Sequence, residues 1–170
     1  MSVLRNGESC FGSGPNASHI NLYLGPKDGP VGAALVTGAS TPGPGHIPFQ
    51  CTLRPNLPVK PTTLFIAKAV LRDANHENMT WGPAQAGVAV GVTKALLDGV
   101  LPPEAEDGWV VMAAVWVHWL ANDADAVFTN NRDAAYQAAE RAMAQGWPGR
   151  ADLADGVNNV WNAYYKPNRD

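Results

Sequence analysis

Few residues in this sequence are suited to chemistry, and the four histidines are the first candidates: His19, His46, His76 and His118. No two of them stand at a spacing typical of metal ligands, so we expect no metal site. The sequence also lacks a GxGxxG after a strand, a P-loop, HExxH, GxSxG and CxxC. Any chemistry must therefore depend on isolated side chains that the fold brings together.

His19 stands in a segment whose side chains alternate between apolar and polar. The apolar set is Ile20, Leu22 and Leu24, and the polar set is His19, Asn21 and Tyr23. This period of two predicts a half-buried strand with His19 and Asn21 on its polar face. His19 is then either a histidine on an open sheet surface or a general acid or base, because an unperturbed imidazole titrates near ~6.5.

Lys68 and Gln85 are polar residues in two other informative positions. Lys68 lies in an otherwise apolar, β-rich run. There it either extends its ammonium to solvent from the strand end or contacts an anion or a carbonyl in a cleft. Gln85 falls in the first turn of a predicted helix, beside backbone N–H groups that have no partner within the helix. Its amide is either solvated or directed at a heteroaromatic ligand.

The elements that must position these side chains follow from the hydrophobic periodicity. Strands are predicted over residues 18–24, 47–54, 62–71 and 109–119, and helices over residues 29–38, 80–98, 123–145 and about 153–164. We expect Thr80 to cap the second helix and the segment Gly146-Trp147-Pro148-Gly149 to close the third. The order predicts an α+β protein, a two-layer sandwich in which a four-stranded sheet carries helices on one face.

Length and composition narrow the class of protein further. The chain has 170 residues, of which 46% are hydrophobic and 16% are charged, so it can bury a core and we expect a single domain over residues 1–170. The net charge of −3 and the absence of a basic block argue against nucleic-acid binding. No apolar run reaches the ~18 residues of a membrane span, and no signal peptide is recognisable. We therefore expect a cytoplasmic protein.

Several long blocks of the sequence are specific enough to indicate a family. They are Ser18-His19-Ile20-Asn21-Leu22 with Leu24-Gly25-Pro26, then Pro55-Asn56-Leu57-Pro58-Val59-Lys60-Pro61-Thr62-Thr63-Leu64, Lys68, Asp73-Ala74, Gly82-Pro83-Ala84-Gln85-Ala86-Gly87-Val88-Ala89, and His118-Trp119 with Ala121 and Asp123. Together these blocks resemble the formaldehyde-activating enzyme family over residues 17–146. Residues 147–170 are left as a divergent C-terminal helix and tail.

The resemblance implies a fold, a reaction and an assembly. The fold is an α/β sandwich related to a ribosomal-protein domain. The reaction condenses formaldehyde with tetrahydromethanopterin, a reduced pterin, to methylene-tetrahydromethanopterin and water, which is a lyase reaction of one-carbon metabolism. Tetrahydromethanopterin is a co-substrate, so no tightly bound cofactor is implied. The implied assembly is a homopentamer that binds the pterin in a cleft between adjacent subunits.

The resemblance also assigns roles to particular residues. The family's catalytic histidine falls on His19, and its ligand-contacting lysine and glutamine fall on Lys68 and Gln85. His19 is thereby implied to be the general acid that protonates the departing hydroxide. Lys68 and Gln85 are implied to bind the pterin.

Other ligand positions differ from the family. Asn21 stands in place of an Asp, Gln50 in place of a Leu, and Val70 in place of a Thr, while Ala86 replaces a second histidine. The change at Asn21 is expected to matter most, because it removes a carboxylate that would lie two residues from His19. These differences indicate a divergent member whose choice of pterin or whose rate has changed.

Two other functions remain open at this point. The chain could be a non-catalytic protein that holds a reduced pterin or its formaldehyde adduct, or a partner subunit that assembles with an active enzyme of the family. His19 favours the enzyme, whereas the differences at Asn21, Gln50 and Val70 favour the alternatives.

Overall fold

The alternating segments form a five-stranded mixed sheet in the computed structural model, which describes residues 4–144, 148–162 and 165–167. The strands are β1 (Arg5–Phe11), β2 (Ser18–Pro26), β3 (Phe49–Gln50), β4 (Thr52–Arg54), β5 (Leu57–Pro58), β6 (Thr62–Ala67) and β7 (Trp109–Trp116). The sheet order is β1-β2-β7-β6-β3, with β4 and β5 forming a separate hairpin. Strands β6 and β7 are parallel, and the other neighbouring pairs are antiparallel.

The helices are α1 (Pro30–Ser40), α2 (Ala74–Met79), α3 (Gln85–Leu97), α4 (Ala105–Gly108), α5 (Ala124–Ala144) and α6 (Arg150–Asn158). The inward residues of β2 and β7 form one buried apolar cluster with α3 and α5. Helix α3 packs on α5, and α5 packs on β1 and β2. Because α3 and α5 cover one face of the central strands, polar side chains can lie on the opposite face. None of the helices in the described residues is both long and apolar enough to span a membrane.

The α+β class is confirmed, but the expected count of four strands is wrong. Strand β1 was not predicted because its inward residues, Gly7 and Ser9, are small and give no hydrophobic period. They are small because α5 lies so close: a Cβ on Gly7 would be 1.9 Å from the carbonyl oxygen of Ala138. Because the close approach of α5 requires small residues at these positions, β1 lacks the alternating hydrophobic pattern from which a strand is predicted.

The expectation that all helices cover one face is also wrong. Leu64 and Met112 are cross-strand partners on the face opposite the main core, and Gly38 of α1 lies against both of their side chains. Helix α1, whose residue Val31 is buried, therefore covers one end of that second face. The other end of this face remains uncovered by α1.

Several predicted boundaries are corrected. The segment 47–54 is divided between β3 and β4, because β3 pairs with β6 whereas β4 pairs with β5. Strand β6 ends at Ala67 and β7 at Trp116, and the outer side of β7 is half-buried rather than fully buried. Helix α6 is exposed, and Val160 and Trp161 lie beyond its end. Gly146, Trp147 and Tyr164 lie outside the described residues.

The predicted start of the helix at Thr80 is wrong, because the helical segment begins earlier. Asp73 caps α2 by accepting a hydrogen bond from the His76 backbone N–H at 2.8 Å. A π-helical turn over Thr80–Ala84, which contains Pro83, then joins α2 to α3. Such widened turns are common at functional sites. Here the turn leaves Trp81 exposed and delivers Gln85 at the start of α3.

Candidate active site

The register of the sheet gathers polar side chains on the face opposite the main core. Cys10 of β1 is the cross-strand partner of His19, Glu8 is the partner of Asn21, and on the other side His19 pairs with Trp116 of β7. Cross-strand partners project from the same face of a sheet. His19 and Asn21 therefore lie on one face, as the alternation predicts, and Glu8, Cys10 and Trp116 surround them.

A carboxylate contacts the imidazole of His19, although it does not come from position 21. Glu8 Oε1 lies 2.5 Å from His19 Nε2. The backbone of Glu8 is held in turn by α5, since Arg141 Nη1 donates to the Glu8 carbonyl oxygen at 2.6 Å. Glu8 is the residue that sequence reasoning missed. Its only available signal was the alternation of Glu8 and Cys10 with the small residues Gly7 and Ser9.

Lys68 reaches across β7 to Asn21. Its Nζ donates to Asn21 Oδ1 at 2.5 Å and to the His19 carbonyl oxygen at 3.4 Å. Burial lowers the pKa of the Lys68 ammonium, an effect that the nearby Glu8 and Cys10 partly oppose. The side chain of Asn21 is therefore a hydrogen-bond partner of Lys68.

Cys10 completes this polar cluster as a neutral group. Burial, followed by the negative charge of Glu8, raises the pKa of the Cys10 thiol, while Lys68 and Arg141 act in the opposite direction. A thiol with a raised pKa is a poor nucleophile at neutral pH. We therefore assign no covalent role to Cys10.

A cavity of about 630 Å³ opens beside His19. Its wall includes the loop after β1 and the aromatic or imidazole rings of Trp116 and His118. His118 stacks on Trp119 with ring centroids 4.2 Å apart, and the guanidinium of Arg72 lies 3.7 Å above the Trp119 ring. A flat heteroaromatic ligand that enters this cavity would meet aromatic surface with the imidazole of His19 at its edge.

Gln50 and Gln85 lie together, but in a different pocket. This pocket, of about 410 Å³, is also lined by Phe49, Thr52 and Trp81, and none of the described residues lines both it and the cavity beside His19. The backbone N–H of Thr52 donates to Gln85 Oε1 at 2.7 Å, which fixes the direction of that amide. The chain therefore presents the six predicted site residues in separate groups.

Val70 belongs to neither pocket. It is an exposed residue beyond the end of β6, and its side chain packs against the loop at Gly45. The structure thus brings His19, Asn21 and Lys68 together, brings Gln50 and Gln85 together, and leaves Val70 apart. Ala86, the neighbour of Gln85, is half-buried on α3.

The chemistry of the His19 cluster is acid–base and hydrogen bonding. The imidazole of His19, at the edge of the cavity, contacts the carboxylate of Glu8, and the ammonium of Lys68 contacts Asn21 on the same strand. Within the ranges that the structure describes, no group of three or more His, Cys, Asp and Glu side chains is arranged to hold a metal ion. The cluster is suited to moving a proton at a polar atom of a bound molecule.

Comparison with known proteins supplies relatives for this chain. Residues 6–164 match a family model described as formaldehyde-activating enzyme (Fae). The chain is 40% identical over 137 residues to a protein of Methanosarcina barkeri named 5,6,7,8-tetrahydromethanopterin hydro-lyase, covering 81% of this chain and 77% of that relative.

Two further relatives are larger proteins named bifunctional enzyme Fae/Hps. The one from Methanococcoides burtonii is 37% identical over 94% of this chain, and the one from Methanothrix thermoacetophila is 38% identical over 84%. The alignments span only 43% and 36% of those two relatives. The similarity therefore concerns less than half of each bifunctional protein.

Proposed function

The chain belongs to the formaldehyde-activating enzyme family, and from this membership we propose that it condenses formaldehyde with tetrahydromethanopterin to give methylene-tetrahydromethanopterin and water. The observation that carries the proposal is the similarity to a tetrahydromethanopterin hydro-lyase over most of both chains. The His19 cluster at the edge of a cavity supports it, because the reaction needs a placed proton donor. The activity makes the protein a lyase.

The proposed reaction begins when one amine of the pterin attacks formaldehyde and forms a carbinolamine. The carbinolamine must then lose hydroxide, a poor leaving group, and the imidazolium of His19 protonates that oxygen so that it departs as water. The resulting iminium is trapped by the second amine, which closes the ring. General acid catalysis of this kind contributes roughly 10²–10⁴-fold to the rate. Because formaldehyde and the amines also condense spontaneously, orientation in the cavity contributes the rest.

In this proposal the remaining site residues bind the pterin. The ammonium of Lys68 and the side-chain amide of Asn21 are hydrogen-bonded to each other and offer polar groups to the pterin beside His19. Gln50 and Gln85 offer their amides in the second pocket. Among the residues that the structure describes, the two pockets share no lining residue. We propose that neighbouring copies in a homopentamer bring the His19 cavity of one subunit against the Gln85 pocket of the next. Val70 would line this inter-subunit cleft only in the assembly.

The test of the proposed function is formaldehyde consumption by the purified protein with tetrahydromethanopterin, and in parallel with tetrahydrofolate, against the uncatalysed rate. Acceleration with either pterin supports the enzyme. If there is no acceleration but a reduced pterin binds, the non-catalytic carrier is the correct alternative. If neither activity nor binding is detected, the chain is better described as a partner subunit. The predicted cytoplasmic location and the single domain over residues 1–170 stay predictions.

The assembly gives a prediction of its own. We expect light scattering at micromolar concentration to give the mass of a pentamer of 18.0 kDa subunits. The physical reason is the number of exposed apolar side chains, which include Leu97, Leu120 and Trp161 and which a partner surface would cover. A monomer at this concentration would contradict the assembly and remove the proposed cleft.

Restoring the family residues at two positions is expected to change the choice of pterin. In Asn21→Asp a carboxylate would lie beside Lys68 Nζ and form an ion pair, and Gln50→Leu would remove an amide that needs a partner when covered. An unpartnered buried polar group costs ~1–3 kcal/mol, so we expect the double variant to bind tetrahydromethanopterin about tenfold more tightly. Calorimetry with tetrahydromethanopterin and tetrahydrofolate measures the preference.

The control for this prediction is Asn78→Asp, which makes the same change of charge on the exposed surface of α2. It should leave both affinities unchanged. An unchanged preference in the double variant would mean that Asn21 and Gln50 do not select the pterin.

A further inference from the structure

Glu8 makes a close side-chain contact with the ring that the proposed mechanism uses. Its Oε1 lies 2.5 Å from His19 Nε2, and its carboxylate is 60% exposed while the imidazole is largely covered. An ionised carboxylate only accepts hydrogen bonds. The contact therefore requires that Nε2 carries a proton and donates it to Glu8.

The reach of Glu8 to His19 follows from the register of β1 and β2. Glu8 is the direct partner of Asn21, so it lies diagonally from His19, whose direct partner is Cys10. Diagonal neighbours on one face are within reach of long side chains. The side chain of Cys10 is shorter than that of Glu8, and Asn21 Oδ1 already accepts a hydrogen bond from Lys68. Neither residue therefore replaces Glu8 as the partner of His19 Nε2.

The backbone at Glu8 is unusually well fixed for an edge strand. On one side Gly7 lies directly beneath α5, and on the other Ser9 Oγ donates to Gln137 Oε1 at 2.8 Å. Arg141 of the same helix donates to the carbonyl oxygen of Glu8 itself. Three consecutive residues are thus anchored to α5, so the exposed carboxylate projects from a rigid base.

We propose that Glu8 is the positioning residue of the general acid: it keeps Nε2 of His19 protonated and orients the ring, so that Nδ1 delivers the proton to the departing oxygen. This inference rests on the proposed function. In the step, the Nδ1–H bond breaks, an O–H bond forms on the carbinolamine, the C–O bond breaks and water leaves. The nitrogen lone pair forms the C=N bond of the iminium. The proton that the second amine loses on ring closure restores Nδ1–H.

A merely structural role for the pair would have a different signature. The Glu8 carboxylate is exposed, and substitution of an exposed side chain usually changes stability by less than about 0.5 kcal/mol, so removing Glu8 leaves the protein folded. A carboxylate that holds an imidazole fixes which ring nitrogen bears the proton, and loss of that control lowers the rate without affecting substrate binding. The proton position and the rate are therefore the two quantities to measure.

The experiment compares Glu8→Ala and Glu8→Gln with the wild-type protein. Nitrogen NMR of labelled histidine reports the tautomer of His19, identified by its loss in His19→Ala, and steady-state kinetics separates kcat from KM. At a pH at which the ring is neutral, we expect the Nε2–H tautomer in the wild type and its loss in Glu8→Ala, and the kinetics should show at least about a tenfold fall in kcat with KM nearly unchanged. Glu8→Gln should be intermediate, because it keeps an acceptor oxygen but loses the charge.

The matched control is Glu106→Gln, which removes a carboxylate of similar exposure, 56%, whose partner is Lys60. It should leave both the tautomer and kcat unchanged. An unaltered His19 tautomer in Glu8→Ala, or an altered tautomer with unchanged kcat, would overturn the inference. If the wild type does not accelerate the reaction at all, the proposed function fails. The tautomer measurement still shows whether Glu8 determines which ring nitrogen of His19 carries the proton.

Discussion

Replacing His19 with alanine is expected to lower turnover by roughly 10²–10⁴-fold, the range that general acid catalysis supplies. The imidazole is the group placed to protonate the departing oxygen, and it lies at the edge of the cavity beside Trp116. Pterin affinity should stay within a few-fold, because Lys68 and Gln85 remain. Saturation kinetics corrected for the uncatalysed rate, together with calorimetry of the pterin, separates these two effects.

The control for His19→Ala is His46→Ala. His46 is also half-buried, but it lines neither pocket, and its Nδ1 donates to the carbonyl oxygen of Ala67 at 2.7 Å. It should retain the wild-type kcat. A His19→Ala variant as fast as the wild type would remove His19 from the mechanism, and with it the positioning role of Glu8.

Replacing Gly7 with alanine is expected to cause the largest loss of stability among single-methyl changes at the site. The added Cβ would lie 1.9 Å from the carbonyl oxygen of Ala138 and 2.9 Å from the backbone nitrogen of Ala142, so the clash is with the helix backbone itself. Overpacking of this kind costs ~1–3 kcal/mol and sometimes more. We expect a loss of about 3 kcal/mol, which corresponds to a fall in Tm of roughly 6–12 °C for a domain of this size.

Thermal and denaturant unfolding at one fixed protein concentration measures the effect of Gly7→Ala. Gly156→Ala is the matched control, because no atom lies within 4 Å of the added Cβ in the exposed helix α6. There the change should be neutral or stabilising by about 0.5–1 kcal/mol, through the higher helix propensity of alanine. An unchanged Tm in Gly7→Ala would show that α5 does not press on β1, which would weaken the argument that Glu8 is rigidly held.

Local sequence pattern was sufficient for the elements with strong periodicity. Strand β2 and helices α1 and α5 lie close to their predicted positions. The apolar residues of β2 and α5 recur at the period of the element, and α1 was predicted from a short apolar run. Strand β1 was missed because its buried side is made of Gly7 and Ser9. The helical start at Asp73 was missed because Pro83 suggested a first turn, whereas it occupies a π-helical turn inside a longer helical segment.

The sequence by itself determined that His19 and Asn21 share a polar strand face, because side chains of a strand alternate with a period of two. It also identified Lys68 and Gln85 as polar residues in unusual places. Only the tertiary structure decided their partners: Glu8 for His19, Asn21 for Lys68, and the backbone of Thr52 for Gln85. These contacts depend on the order β1-β2-β7-β6 and on the packing of α5, and local periodicity carries no information about which strands become neighbours.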